Sequence, residues 1–159
     1  MGQILKIGVL GCASIARRSV IPALLELPDK FILKGIASRT MKRARDCAAE
    51  FHTKAYTGYQ SLLDQPGLDA VYIPLPNGMH MEWAGKALLK GLNVLLEKPM
   101  VCGLEDAKRL NDLARKGRLA LMENFQFRFH SQLEYIKRIR KEGIIGELRC
   151  LRSSFGFSG

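Results

Sequence analysis

The segment ILKIGVLGCASIARRS, residues 4–19, decides how the rest of the chain is read. Residues 4–10 form an apolar run of strand length. Residues 14–27 have helical spacing, and Pro22 is expected to kink that helix because it lacks an N–H and crowds the preceding turn. Between strand and helix lies Gly11, followed by Cys12, Ala13, Ser14, Ile15 and Ala16. That register fits the dinucleotide fingerprint G-x-G-x-x-G/A, with Ala13 in place of the second glycine. A glycine here permits a turn tight enough to bring backbone N–H groups and a helix N-terminus onto a pyrophosphate. The motif gains its weight from its place after the first strand of a longer series.

That series continues through the chain. Residues 31–38, FILKGIAS, read as a second strand, and Thr40 is a suitable cap for a helix running to about Phe51. A short extended piece, KAYT, leads into a helical turn, YQSLLD. Residues 69–74 form the next strand, residues 78–91 a helix stopped by Gly91, and NVLLEK a further strand. Residues 104–117 read as a helix with acids early and bases late, as the helix dipole favours. Residues 119–125 close the series as a strand. Alternating helices with short Val/Ile/Leu-rich strands predict an α/β fold: a doubly wound, mostly parallel sheet buried on both faces. Such sheets bind ligands beyond the carboxyl ends of their strands.

The rhythm changes after Phe125. Residues 131–143 read as an amphipathic helix and GELRCLRSSFGF, residues 146–157, as a strand. A lone strand with an open edge is poorly stable. The expectation is therefore a nucleotide-binding domain over 1–125, with 126–159 the beginning of a second, α+β domain that is missing or supplied by a partner. Phe155 and Phe157 fit an interface deprived of that partner.

The end of the second strand selects among nucleotides. An acid at this place would hold ribose hydroxyls and repel a 2′-phosphate. Here stand Ser38, Arg39, Lys42 and Arg43, with no acid among them. A guanidinium grips phosphate through paired hydrogen bonds, so NADP(H) is favoured over NAD(H). A solvated basic helix start is the competing account, but the dipole disfavours bases at that end.

The strand NVLL stops abruptly at Glu97, Lys98 and Pro99. These residues read either as an ion pair capping a strand or as a catalytic ammonium placed at the rim. The totals leave both open. The 159 residues suffice for one packed domain and a little more. The formal charge of +10 suits a phosphorylated ligand, an acidic membrane or nucleic acid. Nucleic-acid binding is set aside because the bases spread over several helices without interleaved aromatics. No apolar run reaches membrane-span length, and the amino terminus mixes charge into its apolar stretch, so no membrane or secretory segment is read. The four cysteines, at 12, 47, 102 and 150, lack zinc-ligand spacing; free thiols, no metal and a cytoplasmic setting are expected.

Taken in order, GVLGCASIA, IASR, YIPLPNGMH, LLEKP and LMENFQFRFHSQ resemble the glucose–fructose oxidoreductase and inositol dehydrogenase family, and within it most the NDP-hexose 3-ketoreductase branch. The resemblance runs from residue 4 to about 157, and Glu-Lys-Pro is its most specific element. It implies an NADP(H)-dependent oxidoreductase that moves a hydride to or from a carbonyl or hydroxyl of a sugar or sugar nucleotide. It implies Lys98 as the catalytic proton donor, a cis Pro99, and Glu97 orienting Lys98 or keeping it charged. It places Gly11, Cys12, Ala13, Ser14, Ile15, Ser38, Arg39, Arg43, Tyr59, Leu75, Asn77, His80 and Glu97 at the cofactor, and Asn124 and Arg128 near the substrate. From the residues alone, Tyr59 could equally be core packing, and His80 a packed or surface histidine. The resemblance further implies a large second domain that carries a second acid and the contacts of a homo-oligomer, so that the chain reads as truncated. The alternative is a non-catalytic NADP-binding module for sensing or interaction.

Overall fold

The structure, a computed structural model, describes residues 3–154 and 156 of the chain. It falls into two compact units, Met1–Asn124 and Phe125–Gly159.

The first unit is built on six parallel strands: β1 (Leu5–Leu10), β2 (Phe31–Ser38), β3 (Ala55–Thr57), β4 (Ala70–Ile73), β5 (Asn93–Leu96) and β6 (Leu121–Glu123). Their order across the sheet is β3-β2-β1-β4-β5-β6. The four inner strands bury their central residues, with Val9, Leu10, Ile36, Ala37, Val71, Tyr72, Ile73 and Leu96 fully enclosed, whereas the edge strands β3 and β6 are only partly covered. A strand buried on both faces needs apolar side chains at successive positions, which these have. One layer of core gathers Leu10, Leu62, Val71, Ile73, Ala84, Leu88, Leu96 and Leu110. The other gathers Val9, Ala16, Ile21, Ile36, Cys47 and Tyr72. The chain order reverses between β1 and β4, which opens a crevice where the loops after these strands part.

The connecting helices are α1 (Ile21–Leu25), α2 (Met41–Glu50), α3 (Tyr59–Leu63), α4 (His80–Leu89) and α5 (Leu104–Gly117). The Thr40 hydroxyl accepts from the Arg43 N–H at 3.4 Å and starts α2. His52, just beyond the end of α2, takes a left-handed conformation with φ 49°. Gly91 stops α4 with φ 77°. In α5 the acids Glu105 and Asp106 occupy the first turn and Arg115 and Lys116 the last.

One local expectation is refined and another corrected. Residues 14–25 run as one helical segment, with a π-helical stretch at Ala16–Val20 that passes directly into α1, and Pro22 lies just beyond that stretch. A proline inside a helix has no N–H to give to the preceding turn, and the helix is irregular there, as expected of Pro22. In the second unit, α6 (Ser131–Lys141) forms as expected, capped by the His130 ring accepting from Gln132 N–H at 3.1 Å. The strand expected at 146–157 does not form among the described residues, which are irregular from 148 to 154. A strand needs a neighbour to complete its hydrogen bonds, and no described segment pairs with this one. Phe155 and Phe157 lie outside the described residues.

Candidate active site

A cleft of about 350 Å³ opens at the reversal point of the sheet. Its floor is the turn after β1: Gly11, Cys12 and Ala13. Gly11 has φ 117°, and a Cβ on it would lie 2.9 Å from Leu75 Cδ2 across the cleft. Its N–H donates to the Ala37 carbonyl at 2.8 Å, which ties the turn to β2. One side wall comes from the loop after β4, Pro74, Leu75, Pro76 and Met79, and the other from Ser38, Arg39 and Arg43, with Tyr59 among the lining residues. Ser38 is buried, while Arg39 and Arg43 are exposed. No carboxylate lines the cleft among the described residues.

Tyr59 is enclosed by an edge-on contact with Trp83, ring centroids 5.0 Å apart. Burial pushes its phenol up, and the charges of Arg39 and Arg43 oppose that shift. Cys12 places its Sγ 3.6 Å from the Arg43 carbonyl oxygen and packs with buried Cys47 behind the cleft. Burial and the neighbouring Cys12 push the Cys47 thiol up to about 12.

Not every residue expected at the cofactor lines this cleft. Ser14 and Ile15 are exposed at the start of the first helix, and Ser14 faces a separate hollow with Arg17, Arg18 and Glu50. The Arg17 guanidinium holds the Glu50 carboxylate there through two hydrogen bonds, joining the first helix to α2. Asn77 is exposed in the 3-10 turn Asn77–Met79.

His80 was expected near ribose or nicotinamide and is instead fully enclosed at the start of α4. Its Nε2 lies 2.8 Å from the Leu75 carbonyl oxygen, and its Nδ1 lies 3.0 Å from both the Pro99 and the Met100 carbonyl oxygens. All three partners are acceptors, so every contact needs a ring proton. A neutral ring serves one side at a time, and only a doubly protonated ring serves both.

The rim beyond β5 carries Glu97, Lys98 and Pro99, and the Lys98–Pro99 peptide is cis. Lys98 is exposed and its ammonium makes no hydrogen bond or ion pair among the described residues. Glu97 does not pair with it. The Glu97 Oε1 accepts from the Tyr72 hydroxyl at 2.6 Å and from Asn124 Nδ2 at 2.6 Å, while Oε2 lies 3.4 Å from the backbone N of Lys98. Glu97 thus fastens the ends of β4, β5 and β6 together, and one of the two amide protons of Asn124 goes to that bond. Tyr72 is fully enclosed; burial, then its bond to Glu97, pushes its phenol strongly up. On the far side of Lys98, the Met100 N–H donates to Glu123 Oε1 at 2.7 Å. Arg128 lies in the 3-10 turn Gln126–Phe129 of the second unit.

Sequence reasoning missed Tyr72, Glu123 and the apolar wall of Pro74, Pro76 and Met79. A tyrosine inside a strand buried on both faces is a usable signal, because its hydroxyl must find a partner. Nothing in the local sequence marks Glu123, whose partner is 23 positions away.

Two features of the site suit a dinucleotide: the turn at Gly11 has no room for a Cβ, and the wall at the end of β2 presents guanidinium groups with no carboxylate among the described residues. The chain is similar to several known proteins. A dTDP-3,4-didehydro-2,6-dideoxy-α-D-glucose 3-reductase from Saccharopolyspora spinosa is 44% identical over 98% of this chain and 47% of its own length. A D-xylose 1-dehydrogenase (NADP+) from Haloferax volcanii is 38% identical over 94% of this chain and 46% of its own. A 3-ketoreductase from Actinomadura kijaniata, solved in complex with NADP and TDP-benzene, superposes with TM-score 0.86 at 41% identity, covering 91% of this chain and 44% of that one. The chain thus spans about half the length of the curated relatives it matches. Residues 5–125 match the model of an oxidoreductase family with an NAD-binding Rossmann fold, and the chain belongs to that family, Gfo/Idh/MocA.

Proposed function

We propose that this chain is the nucleotide-binding half of an NADP(H)-dependent oxidoreductase acting on the carbonyl or hydroxyl of a sugar nucleotide, with Lys98 as the proton donor. The observation that carries the reading is the wall at the end of β2, where Arg39 and Arg43 face the cleft and no acid does. Two guanidinium groups there favour a ribose bearing a 2′-phosphate. The Gly11 turn leaves its backbone open to a pyrophosphate, and Leu75 and Pro76 provide an apolar wall for the rest of the dinucleotide.

NADPH, when bound, supplies the hydride. This chain's part is to seat it and to manage the charge that develops on the substrate. As a hydride arrives at a carbonyl carbon, the C=O π pair moves to oxygen, and the Lys98 ammonium beside that oxygen stabilises the charge and gives up one proton. The product is an alcohol, and Lys98 is left neutral until it recovers a proton from water. The freedom of the Lys98 ammonium suits this role, because Glu97 is engaged elsewhere and does not hold the proton back. The names of the relatives direct the choice of substrate to a dTDP-linked 3-keto-deoxysugar.

The test is NADPH consumption with such a sugar nucleotide, the chain being fused to the second half of the Saccharopolyspora spinosa relative. Lys98→Met is expected to lower the rate by about a hundredfold or more while NADPH still binds. Undiminished turnover in Lys98→Met contradicts the role given to this lysine.

A further inference from the structure

We infer that His80 is a positioning residue that locks the Lys98 loop to the wall of the cofactor cleft. The inference rests on the NADP(H) reading above for the meaning of that wall, and on geometry for the link itself. Leu75 lines the cleft, and its carbonyl oxygen meets His80 Nε2 at 2.8 Å. Pro99 and Met100 follow Lys98 directly, and their carbonyl oxygens meet His80 Nδ1 at 3.0 Å. One ring therefore lies between the loop after β4 and the loop after β5, and in its doubly protonated form it donates to both at once.

The bridge is rigid for three reasons. The ring is fully enclosed, so water does not compete for its nitrogens. It sits at the first residue of α4, whose backbone is fixed by the helix. The loop it holds is pinned again one bond away, where the Met100 N–H donates to Glu123. On the other side of Lys98, Glu97 is fastened to Tyr72 and Asn124. The flexible stem of Lys98 thus springs from a backbone fixed on both flanks. His80 is the one among these anchors that also reaches the cleft wall.

Its two arms can be cut separately. A glutamine carries its amide nitrogen near the place of Nε2, and an asparagine near the place of Nδ1. His80→Gln keeps the arm to Leu75 and releases Pro99 and Met100. His80→Asn keeps the loop arm and releases Leu75. In the chain itself, amide hydrogen exchange at Met100 reads the loop, and fluorescence titration with NADPH reads the cleft.

A crossed pattern is expected. His80→Gln speeds Met100 exchange about tenfold, roughly the factor one such hydrogen bond carries, and holds the NADPH Kd within about threefold. His80→Asn leaves Met100 exchange within about threefold of the parent and raises the NADPH Kd about five- to tenfold. Simple loosening of the core would move both readouts together in both variants. That parallel response, or no response in either variant, overturns the assignment. If the unsubstituted chain fails to bind NADPH, the cofactor reading falls, and the contrast in Met100 exchange still decides whether His80 holds the loop.

Discussion

Gly11 carries two constraints at once: a positive φ of 117° and a Cβ position 2.9 Å from Leu75 Cδ2. Alanine at this position strains the backbone and pushes on the cleft wall together. Gly11→Ala should cost about 1–3 kcal/mol of stability, read as a lower urea midpoint, and should weaken NADPH binding further than that loss explains. Unaltered affinity would show that the turn does not meet the dinucleotide. The tight turn at this glycine was legible through its place after the first strand of a longer series, since a glycine near a strand end is by itself common. The neighbouring charges Glu97 and Lys98 were harder to read. Adjacent residues of an extended chain point to opposite sides, so proximity in sequence argues against a side-chain pair. Glu97 turns inward to Tyr72 and Asn124, and Lys98 turns outward. His80 was misplaced for a related reason: a histidine beside a cleft-lining loop looks like a ligand contact until its three carbonyl partners are known, and two of them lie 19 and 20 positions away.

At the scale of elements, periodicity placed every strand and helix of the first unit, because each element's burial pattern is local. β2 and α5 have the expected limits. β6 is shorter than expected, at Leu121–Glu123, where its register with β5 pairs Val94, Leu95 and Leu96 with Leu121, Met122 and Glu123. The strand expected at 146–157 failed because an alternating pattern states a preference, whereas a strand also needs a neighbour. The packing of α2 onto the first helix has a pH consequence. Cys47 is enclosed on α2 beside Cys12, and its thiol is pushed up to about 12 from an ordinary 9.0. A thiol whose folded value is raised contributes stability that is intact below pH 9 and lost as pH climbs toward 12. Across that window the fall approaches about 1.4 kcal/mol per pH unit. Urea unfolding at a series of alkaline pH values should show it, and Cys47→Ala should flatten the slope. An equal slope in Cys47→Ala would mean that other groups dominate.

At the scale of the molecule, the strand order β3-β2-β1-β4-β5-β6 brings the site together. It sets the Gly11 turn beside Leu75 and lets Arg39 overhang the same cleft from the end of β2. It also fastens the ends of β4, β5 and β6 through Glu97, so that Lys98 rises from a fixed rim. Sequence reading reached this arrangement because a doubly wound sheet leaves little choice about where loops converge. It could not supply the anchors beneath the rim, which join residues far apart in the chain. The central claim, that the cleft takes a dinucleotide bearing a 2′-phosphate through the guanidinium wall, is tested most directly by fluorescence titration of the chain with NADPH and NADH. NADPH should bind at least about tenfold more tightly, and Arg39→Asp should abolish that preference. Equal affinity for the two cofactors, or a preference unchanged in Arg39→Asp, would contradict it.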